Sequence, residues 1–209
     1  MLDLVLPLQC GGCDAVATAW CEACARELTV KPDEPHLVTP RVDPGVPVLS
    51  LGRYAAARRR AIVGLKERGR ADLQRPLAAA LRDATEHLLT WGVLEVPLTL
   101  VPAPTRRSSA RRRGGDPVTR IARTAAAGLP GVSVAPVLRF TAFTRDSVGL
   151  SPAGRQRNVA GRVRLTGAVR GPVLVVDDVV TTGATAAESV RVLQTAGAHV
   201  VAVLAVANA

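Results

Sequence analysis

Apolar residues recur along the chain in two rhythms. Leu73, Leu77, Leu81, Ala84 and Leu88 return at helical spacing and predict a helix over Asp72–Trp91 that Gly92 stops. Ala55–Arg68 reads as a basic helix with Ile62 and Leu65 among its apolar positions. Asp116-Pro117 offers an N-cap and a first-turn proline to a helix carrying Val118, Ile121, Ala122 and Ala125 on one face. A further helix is predicted from about Ala184 to Ala196, closed by Gly197. Between the helices stand short apolar runs, read as strands: Val46–Tyr54, Leu98–Val101, Val132–Phe140, Pro172–Val176 and His199–Ala207. Helices alternating with short continuous apolar strands predict an α/β fold, a parallel sheet covered by helices on both faces. No internal repeat is visible.

The pattern lapses in three places. Pro32, Pro35, Pro40, Pro44 and Pro47 make residues 31–47 an extended linker rather than a helix or a central strand. It divides the chain into an N-terminal unit, residues 1–30, and a main domain, residues 48–209. Residues 141–161 are polar and irregular, punctuated by Gly149, Pro152 and Gly154 and carrying Arg145, Arg155 and Arg157, so they are expected to form a mobile loop that brings charge to an anion. The third place is the N-terminal unit. It holds all four cysteines, as Cys10-Gly-Gly-Cys13 and Cys21-Glu-Ala-Cys24. Two such knuckles can surround one Zn²⁺ with four thiolates, a closed structural site, and the glycine pair lets backbone amides turn toward the sulfurs. A disulfide pair and a redox CxxC are the alternatives; the first suits an oxidising compartment and the second calls for one motif beside a βαβ unit.

Composition narrows the function classes. With 48% apolar residues, the 209-residue chain can bury a core, which excludes collagen-like and wholly disordered readings. Its longest apolar runs are far shorter than the ~20 residues of a membrane-spanning helix, so no membrane insertion is expected. Asp3 stands where a secretory signal wants basic residues, and the first arginine is Arg26, so a cytoplasmic location is expected. Charge adds a partner class. The chain is formally +10, and residues 53–164 concentrate 22 basic against 7 acidic side chains, a positive field suited to phosphate groups. Of the 27 basic residues only Lys31 and Lys66 are lysine, so coding bias is a competing explanation. Trp20, Tyr54, Trp91, Phe140 and Phe143 are too few and too scattered for a base-stacking platform.

The most informative stretch is Val173-Leu-Val-Val-Asp177-Asp178-Val-Val-Thr181-Thr182-Gly183-Ala184-Thr185. A buried strand delivers adjacent carboxylates to its carboxyl end, where open α/β sheets bind ligands. Small and hydroxylated residues then open a helix, whose first amides and hydroxyls make a phosphate cradle without a lysine. Gly183 permits close backbone approach. Neither GxxxxGK[ST] nor GxGxxG occurs, which sets aside P-loop and dinucleotide-binding readings.

At these residues the chain resembles the 5-phosphoribosyl-1-pyrophosphate (PRPP) motif of type I phosphoribosyltransferases. With its cysteine knuckles it resembles the ComF family of competence-associated, phosphoribosyltransferase-like proteins. The ordered pieces are the knuckles, Leu65-Lys66-x-x-Gly69, Val101-Pro-Ala-Pro104, Arg113-Gly114, Arg155-x-x-Asn158-Val159 and Asp177–Thr185. The chain departs from the family pattern at Gly115-Asp116-Pro117, Ser147 and Gly154. The resemblance implies a type I phosphoribosyltransferase-like sheet behind a small zinc-binding knuckle, and a site for PRPP with Mg²⁺. Asp177 and Asp178 would hold the ribose hydroxyls, and Val179, Thr181, Thr182, Gly183, Ala184 and Thr185 would wrap the 5-phosphate. Lys66, Thr105, Arg106 and Arg113 would face the pyrophosphate, with Arg155 and Asn158 closing over it. Asp177, Asp178 and Arg155 would be the catalytic set. Arg106, Arg107, Arg111 and Arg112 read equally as an anion site or a solvated face. Three functions then compete: phosphoribosyl transfer to an unidentified acceptor, single-stranded DNA handling in DNA uptake, and docking of a helicase-like partner through the knuckle.

Overall fold

The computed structural model describes residues 8–105, 116–141 and 161–209. Their centre is a six-stranded sheet built from β1 (His36–Val38), β2 (Val48–Ser50), β3 (Leu98–Pro102), β4 (Val132–Val134), β7 (Pro172–Val180) and β8 (His199–Asn208). The spatial order is β1-β2-β8-β7-β3-β4. Only β1 runs antiparallel to its neighbour. β5 (Leu138–Phe140) and β6 (Val163–Leu165) form a separate antiparallel pair.

Alternation along β7 explains why its sequence is apolar throughout. Leu174 and Val176 join the core beneath α2 (Ala56–Glu67), α3 (Gln74–Thr90) and α4 (Pro117–Ala126), whereas Val173 and Val175 join the core beneath α5 (Ala184–Thr195). The helices form where the periodicity places them. A short 3-10 turn, Ala71–Leu73, precedes α3. Asp116 caps α4 by accepting from the Val118 amide, with Pro117 at the first position.

Three strand expectations are corrected. The strand expected over Val46–Tyr54 is confined to Val48–Ser50, where it pairs with β1 and β8. Val132–Phe140 is not one strand: it divides around Ala135-Pro136-Val137 into β4 in the main sheet and β5 in the small pair, because Pro136 has no amide to continue a ladder. The strand expected to stop at Val176 runs on to Val180, so both aspartates are strand residues. The proline-rich segment runs through turns and bends and supplies β1, the sheet's edge.

The N-terminal unit packs directly on the rest of the chain. Its helix, α1 (Glu22–Leu28), contributes Leu28 to the core beneath α2 and α3. Glu27 of α1 accepts from the Ala57 amide at 3.0 Å, capping α2, whose own N-cap residue is Ala55. Arg70 donates to the carbonyls of Gln9 and Ala19 at 2.9 and 3.3 Å. No helix among the described residues is long and apolar enough to cross a membrane.

Candidate functional site

The sheet brings the chemistry to one edge. Pro102 of β3 is paired with Val176 of β7, and the Ala103 amide donates to the Val176 carbonyl at 2.8 Å. On the other side of β7, β8 continues in register, with Ala205 opposite Asp177.

Asp178 is buried, at 5% exposure, and continues the Leu174–Val176 face toward α2. There Lys66, in the last turn of α2, brings its Nζ to 2.7 Å from Asp178 Oδ2. The approach is a charge contact rather than an aligned hydrogen bond. It puts one fixed positive charge on an otherwise enclosed carboxylate. Asp177 turns its carboxylate back on the strand, Oδ1 accepting from the Asp178 amide at 2.8 Å. Burial holds its carboxyl well above the ordinary carboxylate range; the neighbouring Asp178 charge adds to that, and Lys66 pulls the other way. An acid so placed gains from a ligand hydroxyl or a cation at its free oxygen.

The loop after β7 leads into α5. Gly183 takes the left-handed conformation, with φ +82°, and offers no side chain to cap the helix; Thr182 Oγ1 lies 3.4 Å from the Ala184 amide. The first turn of α5 thus presents backbone N–H groups and the Thr181–Thr182 hydroxyls together, a cradle for an anion. The back of this loop is covered by the proline-rich segment. The Val42 amide donates to the Thr182 carbonyl at 2.8 Å. A Cβ on Gly183 would press on the Val42 carbonyl oxygen and stand 2.7 Å from Pro40 Cβ. Sequence reasoning missed this strap, since proline content announces an extended chain but not what it lies against.

Thr105 is half-buried and tied down: its hydroxyl donates to Asp116 Oδ1 at 2.7 Å, while Asp116 Oδ2 accepts from Thr119 Oγ1 at 2.6 Å. Asp116 therefore closes the base of the loop between β3 and α4. The structure thus brings Lys66 to Asp178, beside Asp177 and ahead of the Thr181–Thr185 loop, while the contact it gives Thr105 is with Asp116. Arg106, Arg113, Arg155 and Asn158, with most of the expected mobile loop, lie outside the described residues.

The four cysteines form the second cluster. Their sulfurs all lie within 4.8 Å of one another, with Cys10 and Cys24 buried and Cys13 exposed. Cys13 and Cys21 Sγ are 3.6 Å apart, near the spacing of about 3.8 Å that four bonds of about 2.3 Å to one tetrahedral ion impose. Gly12 is required here, since a Cβ on it would stand 2.5 Å from Cys24 Sγ. Burial alone would raise the Cys10 thiol, but amides of Cys21, Gly12 and Cys13 donating to its sulfur bring it down to about 6. Burial and the other three sulfurs push Cys24 up. One sulfur ionises readily and the next resists, so a divalent cation is what lets all four become thiolates; the donor set fits a structural metal.

These features define a mixed α/β protein with a mostly parallel, helix-covered sheet, two adjacent aspartates at one strand end and a four-cysteine cluster on its flank. No protein-family model matches the chain, and no curated protein matches it. Among solved structures it is similar to the UMP synthase of Leishmania donovani, at 14% identity and a TM-score of 0.39. The match covers 89% of this chain and 31% of that one. A likeness of that size carries no weight for fold or function, which rest on the chain's own elements.

Proposed function

We propose that the chain binds PRPP with Mg²⁺ and acts in phosphoribosyl transfer, as a protein of the ComF type. One observation carries this reading: the Asp177-Asp178 strand end leads within a few residues into the N-terminus of α5, whose N-cap residue Gly183 has no side chain, while Lys66 reaches Asp178 from a separate helix. The loop at Thr181–Thr185 suits a monophosphate ester, and the carboxylates next to it suit the sugar hydroxyls that such an ester places one ring away. Displacement of pyrophosphate from the anomeric carbon develops positive charge on the ribose and negative charge on the departing group. Asp177 and Asp178 favour the first; Lys66 and the arginine-rich segments 106–113 and 155–157 match the second. Mg²⁺ would meet Asp177 and Asp178 on this chain, and it supplies neutralisation of the departing pyrophosphate. A structural Zn²⁺ on Cys10, Cys13, Cys21 and Cys24 completes the reading and takes no part in the chemistry, because four thiolates leave no open position.

Calorimetric titration of PRPP, with and without Mg²⁺, tests it. Binding should depend on Mg²⁺ and be lost in D177N/D178N, which keeps the volume and removes the charge. Unchanged affinity in that variant would reduce the motif to a strand end and a helix start.

A further inference from the structure

A separate cavity of about 230 Å³ opens where the cysteine knuckle meets α2. Its floor includes Leu73, and its walls carry Arg59 and Arg60 of α2, Arg68 and Arg70 of the turn that follows, and Asp14 of the knuckle. Four guanidinium groups around one space repel one another, and nearby acids balance two of them. Asp14 stands 3.2 Å from Arg60, and Asp72 takes Arg70 in a two-pronged pairing at 2.9 and 2.7 Å. The same two arginines are braced across the junction, Arg60 on the Gly12 carbonyl and Arg70 on those of Gln9 and Ala19. Arg59 and Arg68 pair with no acid among the described residues; Arg59 lies 5.9 Å over the Tyr54 ring. Two braced arginines and two that pair with no acid line one concavity, and arginine-lined concavities suit phosphate oxygens, which guanidinium groups hold through forked, charge-assisted hydrogen bonds.

We propose that this cavity is a second anion site, separate from the Asp177–Thr185 site, and that its ligand is a small oligophosphate group. The volume argues for a small occupant, since pockets for drug-sized molecules begin at about 300 Å³. A nucleic-acid strand fits less well: it needs a continuing groove with open aromatic faces, and the residues lining this cavity include no aromatic side chain. The site depends on the knuckle being seated, because the knuckle supplies one wall and holds two of the four arginines.

Titration of inorganic triphosphate into the full, metal-loaded chain without Mg²⁺ tests this. Wild type should show a binding event that R59Q/R68Q weakens by about tenfold or more, the loss expected when a charge-assisted contact goes. D177N/D178N should keep that event, so the outcome does not depend on the PRPP reading. Both replaced arginines are exposed, and the single variants R59Q and R68Q, each expected to bind more weakly than wild type, serve should the double variant lose its fold. Equal affinity in wild type and R59Q/R68Q overturns the site. So does an event that D177N/D178N abolishes and R59Q/R68Q leaves intact, which would assign it to the strand end. A short single-stranded oligonucleotide that displaces triphosphate and binds more tightly overturns the small-ligand assignment in favour of a nucleic-acid surface.

Discussion

Replacing Gly183 by alanine should damage the Thr181–Thr185 loop through two separable costs. The first is conformational: at φ +82° an L residue loses about 1–2 kcal/mol relative to glycine. The second is the strap, because the new methyl would meet Pro40 Cβ at 2.7 Å and the Val42 carbonyl oxygen. Either the strap or the loop must move, and the Val42–Thr182 hydrogen bond, worth about 0.5–1.5 kcal/mol, is the contact that gives. Gly197 isolates the first cost, since it has φ +83° and no atom within 4 Å of its added Cβ. Urea denaturation should therefore show Gly197→Ala losing about 1–2 kcal/mol and Gly183→Ala losing about 1.5–3.5 kcal/mol. PRPP affinity should fall in Gly183→Ala alone. Equal losses of stability in the two variants would refute the strap as a supporting contact.

Asp177 gives a pH-dependent outcome. Its raised carboxyl binds a proton more tightly folded than unfolded, so its stabilising contribution is full below the ordinary carboxylate range and is lost as pH rises through the raised value. Asp177→Asn does not titrate and keeps an oxygen for the Asp178 amide, so its stability relative to wild type should rise as pH climbs above the ordinary carboxylate range; a gap that stays constant with pH contradicts the burial account. For the cysteine cluster, plasma emission analysis should find one zinc per chain, lost in Cys24→Ser, and a metal-free wild type would remove the structural-metal reading.

What could be seen in the sequence were the features whose cause is local. Leucine and alanine spacing set α3 within two residues, and Asp116-Pro117 marked the start of α4, because a helix face and an N-cap are determined within a few positions. The strand end and helix start at Asp177–Thr185 were visible for the same reason: strand, acids, hydroxyls and glycine follow one another in a single stretch. Lys66 stood out as one of two lysines and by family resemblance, yet nothing in the sequence places its ammonium on Asp178, more than a hundred residues away. β1 was hidden by its prolines, since pairing to β2 is decided by the sheet and not by the propensity of His36-Leu-Val38. Val132–Phe140 misled because its apolar character is continuous while Pro136 sends its halves to different sheets.

The strap also bears on which pieces of this chain can be exchanged as modules. Residues 31–47 join the cysteine unit to the main sheet, yet they supply both the sheet's edge and the back wall of the Thr181–Thr185 loop. A graft that replaced everything before β2 with a foreign N-terminal module would strip that wall away, along with the Glu27 cap on α2. The workable seam lies earlier, ahead of His36, and even there the incoming piece would need an acceptor for the Ala57 amide. Swapping the cysteine unit between homologous chains should thus succeed when the proline-rich segment stays with the sheet it covers, and fail when it travels with the cysteines.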